Sequence, residues 1–460
     1  MIGDWYVTKK SPPVTYLETG DWRLVRDEEN PSRHVPITNH QVPITTSNFL
    51  KNPRASTIPH PMLSIDEQIR ALGRRCERIL NEDDLRRKLK RSGETDKPLR
   101  IKLGMDPTAP DVTLGHGVPL RVIRQFQEWG HKAVLIIGDY TARVGDPSGR
   151  DSTRPVLQGE QIDANAKTYV AQVGKILLTD PQHLEVRYNG EWLAKMNLVD
   201  IIRLAGRKTV AQMLDRDSFK DRYTAGIDIR LHELLYPLLQ GWDSVMIDAD
   251  VEMGGNDQLF NNLVGREFQK EEGGDGQVVI VTPLLVGTDG SAKMSKSKGN
   301  YIAVTDPPGG QSGIFGKIMR LPDSVMESYF QLVTDVPAEE YRALISNHPR
   351  DAKVRLAKEV IAWLHTPAAA DAAEAEWARV SHGGGIPDDT KEIAVGPGPH
   401  KLAPLLVQAG LAASNSEAVR KLREGAVYLD DARVTDFQKE LVIEKTVVVK
   451  LGRKFAKLTP

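Results

Sequence analysis

The chain has 460 residues, 40% of them apolar and 27% charged, a balance that supports a sizeable buried core spread over about three domains. Its 61 basic and 62 acidic side chains leave a formal net charge of -1, which excludes a globally basic surface, so a nucleic-acid partner would have to be held by local basic patches. The single cysteine, Cys76, excludes an internal disulfide and a multi-cysteine zinc site, and no stretch reaches the ~18 apolar residues of a membrane span.

The first ten residues, MIGDWYVTKK, carry no apolar run behind a basic start, so the expectation is a soluble cytoplasmic protein without a secretory leader. Residues 1–62 hold Pro12, Pro13, Pro31, Pro36, Pro43, Pro53, Pro59 and Pro61 with little periodicity, and read as an irregular N-terminal extension. Helical spacing begins in IDEQIRALGRRCERIL. A strand is expected over Leu99–Leu103, a helix over about Gly115–Trp129 and a buried strand over 133–139. Strand, loop, helix and strand in that order make a βαβ unit and hence a parallel sheet. Further strands are expected at 245–250 (VMIDAD) and 278–286 (VVIVTPLLV). The span 323–382 reads as mostly helical, and the glycines and prolines of 383–400 read as a linker. In the last sixty or so residues, Ser414 and Glu417 have capping-box spacing, Gly425 suits a helix C-terminal cap, and AVYLD and ELVIEKTVVVKL read as strands.

Two motifs carry chemistry. In GMDPTAPDVTLGH (104–116), a first strand hands over to a first helix, so the segment lies at the carboxyl end of a parallel strand, where open α/β sheets bind ligands. Gly115 leaves room for a nucleotide at the backbone, and the helix start with His116 offers donors to phosphate. In GTDGSAKMSKSKGN, Lys293 and Lys296 stand on a glycine-flanked loop that can close over a triphosphate. Taken singly, a histidine is often only packed and a charge run is usually a solvated loop. A third pattern, Tyr236, Gln240 and Asp243, falls at i, i+4 and i+7, on one helix face.

On these residues the chain resembles the class I aminoacyl-tRNA synthetases, whose H-x-G-H and K-M-S-K-S signatures bind ATP on a Rossmann-like domain. GMDPTAPDVTLGH, GDYTARVGDPSGR (138–150), YPLLQGWD (236–243) and EMGGNDQ (252–258) resemble the bacterial tyrosyl branch of that family. The likeness runs from about residue 66 to the end. It implies an α/β architecture with boundaries at 63–305 (Rossmann-like catalytic domain), 306–385 (helical anticodon-binding domain), 386–400 (linker) and 401–460 (a small α+β domain that resembles S4-type RNA-binding domains).

The resemblance also implies roles. Tyr236 and Gln240 would hold the ammonium group of tyrosine, with Asp146 adding to that site and Gln258 lining the pocket. Asp243 would accept the phenolic hydroxyl, and Asp106 with Thr108 would lie between amino acid and phosphates. Gly104, Gly115, His116, Gly255, Asp257 and Lys296 would contact ATP, with Gly255 and Asp257 at the ribose. Thr108, Thr113, His116, Lys293, Lys296 and Ser297 would stabilise the charge of adenylate formation, Mg2+ arriving with ATP and no metal tightly bound. Arg420, Lys421 and Arg423, with Lys450, Arg453, Lys454 and Lys457, would grip tRNA(Tyr), and a homodimer is implied. Two positions depart from the pattern. Thr113 replaces the first signature histidine, a change read as tolerated because a hydroxyl can donate to phosphate. Lys102 stands where many tyrosyl enzymes place a tyrosine against the phenol. A synthetase paralogue for another amino acid, a non-catalytic RNA-binding relative and a small-molecule nucleotidylyltransferase are the competing readings.

Overall fold

The computed structural model describes residues 63–108, 110–147, 159–382, 385–396, 398–434, 436, 438, 440–452 and 454–460. The expected extension 1–62, the SGR end of GDYTARVGDPSGR and Arg453 lie outside the described residues.

A six-stranded sheet organises the N-terminal half, built from β1 (Arg78–Leu80), β2 (Arg100–Met105), β3 (Lys132–Ile137), β4 (Leu184–Tyr188), β5 (Val251–Gly255) and β6 (Val278–Thr282). Its order is β1-β6-β5-β2-β3-β4, parallel throughout except for β1, which runs antiparallel to β6. The chain therefore winds from β2 toward β4 in one direction and from β5 toward β6 in the other. The reversal between β2 and β5 opens a crevice at their carboxyl ends, where ligands of such sheets sit.

The strands are apolar because both faces are covered. Ala133, Leu135 and Ile137 of β3 point into a core shared with helix α1 (Leu114–Glu128), while Val134 and Ile136 point into a second core. That second core is roofed by α3 (Leu231–Met246) and α4 (Leu259–Glu271), with α2 (Leu198–Ala205) before them. At Gly241 any Cβ would lie 2.8 Å from Val264 Cγ1, so glycine sets how closely α3 and α4 approach.

Two expected elements are corrected. The helix begun at Ile65 stops at Leu72, and Arg78–Leu80 of the same stretch is strand β1, pairing with β6. VMIDAD is not a strand: α3 runs to Met246, Asp248 takes a left-handed φ of 50°, and the strand starts at Val251. The apolar run there is the inward side of a helix end and a turn.

Beyond the sheet come α5 (Met326–Val333), α6 (Ala338–Asn347), α7 (Pro349–Leu364) and α8 (Pro367–His382). The final unit has its own hydrophobic core. It comprises β7 (Lys391–Ala394), β8 (Pro399–Lys401), α9 (Leu402–Gln408), α10 (Asn415–Arg423), β9 (Val427–Leu429), β10 (Ala432–Arg433), β11 (Glu440–Val442), β12 (Val447–Leu451) and β13 (Lys454–Thr459). Within the span read as a linker, β7 pairs in parallel with β13 and β8 with β11. Ser414 caps α10 through its hydroxyl and Gly425 takes a φ of 64°, but the Glu417 carboxylate bonds the Ala413 N–H, one residue short of a reciprocal capping box.

Candidate active site

The segment after β2 enters α1 at Thr113. The Thr113 backbone N–H donates to His116 Nδ1 at 3.1 Å, and the Thr113 hydroxyl lies 2.7 Å from the same nitrogen. A backbone N–H can only donate, so Nδ1 accepts and the neutral ring carries its proton on Nε2. His116 thus keeps one ring N–H, on Nε2, as a donor. Burial, then the Lys296 and Lys293 ammonium groups, press its pKa down to about 3, so it stays neutral at physiological pH. Thr113 is itself buried, with its hydroxyl turned to the imidazole. The hydroxyl expected to face a phosphate lies against the imidazole in this structure.

The lysine loop meets this helix directly. Met294 is buried, with its Cβ 3.7 Å from where a Cβ on Gly115 would stand. Asp289 builds the turn: one carboxylate oxygen accepts the Ser291 and Ala292 N–H groups, the other the Asn300 amide, and Asn300 in turn holds the Ser295 N–H at 2.8 Å. The Lys293 ammonium pairs with Asp257. That of Lys296 donates to the Asp111 carbonyl and, at 2.8 Å, to the Tyr169 hydroxyl, over whose ring it lies at 5.2 Å. The Ser297 hydroxyl is 2.8 Å from that of Ser295. Both lysines are docked on protein acceptors beside His116.

At the other end of the crevice, α3 presents Tyr236, Gln240 and Asp243. The Tyr236 hydroxyl donates to Asp106 Oδ2 at 3.0 Å, and Asp106 Oδ1 accepts from Thr141 at 2.8 Å. Asp106 leans on Gly138, where a Cβ would come 2.0 Å from Oδ1, so any side chain at 138 would displace Asp106 and Thr141. Burial and the Asp106 carboxylate hold the Tyr236 phenol well above its usual range. Gln258 donates to Asp146 at 2.8 Å, and Asn261 bridges Gln258 and Gln240. Asp243 accepts from Trp192 Nε1 at 2.8 Å and Asn189 Nδ2 at 3.2 Å. Its burial pushes the carboxyl up to about 7, with the Lys102 ammonium as the chief opposing influence.

The remaining residues fall around this frame. A Cβ on Gly104 would project into open space, whereas one on Gly255 would strike Leu284 and Asp257. The Thr108 N–H bonds the Asp106 carbonyl at 2.8 Å. Lys102 is fully buried in β2 and paired with Glu252, so it lines no open surface of the crevice. Arg420, Lys421 and Arg423 stand on α10 in the C-terminal unit, where Glu424 pairs with the first two. Asn189, Trp192 and Arg216, 3.8 Å from Asp146, take part without belonging to any motif, while Thr141 and Glu252 lie inside the segments 138–150 and 252–258 but carry no role predicted from sequence. The available signal was a charged residue inside an apolar strand, in IKLGM and VEMGG. Among the described residues, no cluster of acidic, histidine or cysteine side chains could hold a metal ion, and no helix is long and apolar enough to cross a membrane.

Comparison with known proteins adds a family to this geometry. The family model for class I tRNA synthetases (W and Y) matches residues 94–380. A tyrosine–tRNA ligase of Moorella thermoacetica is 48% identical over 401 residues, 86% of this chain and 96% of its own. That of Bordetella pertussis is 47% identical over 409 residues, 87% and 98% of the two chains. Among solved structures, a C-terminally truncated mitochondrial tyrosyl-tRNA synthetase of Aspergillus nidulans aligns with a TM-score of 0.56 at 24% identity, covering 69% of this chain and 94% of its own. The Archaeoglobus fulgidus tyrosyl-tRNA synthetase complexed with L-tyrosine aligns at 0.54 and 24%, covering 67% and 99%. At such identities the structural likeness speaks for the fold.

Proposed function

The chain belongs to the class I tRNA synthetases of the tryptophan and tyrosine group, and on that premise we infer how it works as a tyrosine–tRNA ligase. Tyrosine and ATP meet in the crevice between β2 and β5. A tyrosine carboxylate oxygen attacks the α-phosphorus in line, the bond to the β-phosphate oxygen breaks, and pyrophosphate leaves. The terminal ribose hydroxyl of tRNA(Tyr) then attacks the carbonyl carbon of tyrosyl-adenylate, releasing AMP. Neither step needs a covalent enzyme intermediate, so catalysis is positioning plus charge stabilisation.

The observation that carries this reading is that the Asp106 and Asp146 carboxylates both lie near the Tyr236 phenol, Asp106 accepting its hydrogen bond and Asp146 that of Gln258. Carboxylates so placed receive an ammonium group, and Asp243, deeper on α3, accepts the phenolic hydroxyl. His116 Nε2–H, Lys293, Lys296, Ser297 and Thr108 meet the phosphates at the other end. The lysines leave Asp257 and the Asp111 carbonyl to do so, freeing Asp257 for the ribose beside Gly255. Mg2+ enters as the companion of ATP.

We propose further that the enzyme is cytoplasmic and works as a homodimer. Leu198, Val199 and Ile202 of α2, with Val210, Tyr223 and Leu231, are large apolar side chains left exposed, Leu231 by 83%. The C-terminal unit, S4-like in this reading, contributes Arg420, Lys421 and Arg423 to tRNA phosphates.

The test is amino-acid-dependent ATP–pyrophosphate exchange on purified enzyme with tyrosine, phenylalanine and tryptophan in parallel. Exchange with tyrosine alone is expected. Exchange with another amino acid instead moves the chain to a paralogue, and silence with all three removes the proposed chemistry.

A further inference from the structure

Lys102 and Glu252 are each fully buried charges flanked by apolar residues in their strands, and they stand directly opposite one another where β2 pairs with β5. The Lys102 ammonium donates to Glu252 Oε1 at 2.8 Å, the Gln240 carbonyl at 3.0 Å and Ser244 Oγ at 2.7 Å, which uses all three of its protons. Glu252 Oε2 accepts from Ser244 at 3.0 Å and from Gln277. The network closes across β2, β5 and α3 beneath the crossover crevice. Two of its contacts, Gln240 and Ser244, bracket Asp243 on one turn of α3.

Stability does not explain such a pair. Desolvating two charges is costly, and well-packed apolar residues of like volume commonly serve a fold as well or better. An apolar pair would not supply a fixed positive charge behind Asp243. We propose that Lys102 is a positioning residue for tyrosine selection, bracing the Gln240–Ser244 turn and supplying the charge against which Asp243 accepts the substrate phenol.

The inference rests on the assignment of Asp243 to the phenol. The groups facing Asp243 are Lys102 from β2, Glu252 from β5, the neutral Trp192 and Asn189 from the segment after β4, and Tyr236 on its own helix with Asp106 beyond it. Burial raises the Asp243 carboxyl most; Lys102 leads the groups that lower it, followed by Trp192 and Asn189, and Glu252 raises it. Removing Lys102 therefore favours the protonated acid and weakens tyrosine binding near neutral pH. Removing the Glu252 charge does the reverse.

The experiment measures KM for tyrosine and for ATP, and the phenylalanine-to-tyrosine preference, from pH 6 to 9 in full-length wild type, Lys102→Met, Glu252→Gln and Asp243→Asn. Lys102→Met should raise the tyrosine KM about fivefold at pH 7, with recovery toward pH 9 and an unchanged ATP KM, as a one-unit rise in an Asp243 pKa of about 7 requires. Its phenylalanine preference should rise in parallel. Glu252→Gln should move the midpoint of the tyrosine pH profile downward. A merely structural pair would make the two variants lose alike, without opposite pH movement, and that result overturns the proposal. Should Lys102→Met not fold, Glu252→Gln decides alone: a midpoint unmoved or moved upward overturns the proposal. An Asp243→Asn enzyme with unchanged tyrosine KM and amino-acid preference removes the pocket assignment itself, and this inference with it.

Discussion

The two ends of the crevice are built differently. At the end assigned to tyrosine, Asp243, Lys102 and Glu252 are buried and held by side chains from several elements. At the end assigned to the phosphates, Lys293 and Ser297 stand on a loop with partners that a ligand can replace, and the Lys293 side chain is 48% exposed. The difference follows from what each end recognises. An uncharged hydroxyl is distinguished from its absence only if the acceptor is already desolvated and would be left unpaired by the wrong ligand. A charge that grows during reaction needs donors already close to where it forms, whose present partners a phosphate can replace. Substitutions at the first end should therefore appear in KM and amino-acid preference, and at the second in the rate of adenylate formation.

The largest effect expected is at the phosphate end. His116→Ala should slow adenylate formation about 10²–10³-fold, the loss typical of one preorganised donor to a developing oxyanion. Single-turnover kinetics would measure it, with tyrosine affinity nearly unchanged. Because His116 is held neutral down to about pH 3, the wild-type-to-variant rate ratio should stay flat between pH 6 and 8. A ratio that falls as the pH drops through 6.5 would mean that the imidazole protonates in the working range. The same depressed pKa has a stability consequence. An unfolded histidine takes up a proton below about 6.5 and the folded one does not, so His116 favours unfolding as pH falls below that value and makes no such contribution above it.

Next in size is Asp243→Asn. With the hydroxyl acceptor altered, discrimination against phenylalanine should fall about tenfold to a hundredfold, the equivalent of about 1–3 kcal/mol for an unpaired buried group. Competition between the two amino acids in pyrophosphate exchange would show it. A pure rate loss with intact discrimination would erase the proposed contrast between the two ends.

The uneven legibility of the sequence follows the same division. The motif residues at both ends could be read because local spacing carries them: Thr113 and His116 share one helix turn, the lysines one loop, and Tyr236, Gln240 and Asp243 one helix face. The unbroken apolar run in AVLII announced a strand covered on both sides. Partners that meet only through the fold were not legible. Trp192 and Asn189 reach Asp243 from 51 and 54 residues away in sequence, and Lys102 meets Glu252 only because β2 pairs with β5. VMIDAD misled because a buried helix end followed by a turn has the same apolar run as a strand.

A smaller effect should separate orientation from chemistry at the phosphate end. Thr113→Val removes the hydroxyl beside His116 Nδ1 but keeps the backbone N–H bond, so adenylate formation should slow about threefold to tenfold, in line with one net hydrogen bond. Thr113→Ser should behave as wild type. Thr113→His should give no tenfold gain, since the position faces His116 and is buried. A gain of that size in single-turnover rate would show that the wild-type enzyme lacks a phosphate donor there.

The smallest effect belongs to the C-terminal unit, whose proposed contacts follow neither pattern. Arg420 and Lys421, proposed to meet the polyanion, both pair with Glu424 on the same exposed helix end. Pairs of this kind are weak and exchange readily, so the carboxylate competes with phosphate for the same two cations. Glu424→Gln should then tighten tRNA binding about twofold at low salt, and the gain should vanish as ionic strength rises. Tyrosine activation, measured without tRNA, should not change. If filter binding shows the opposite sign, weaker binding at low salt, then Glu424 is ordering Arg420 and Lys421 for the phosphates, and this surface is preorganised in the manner of the tyrosine end.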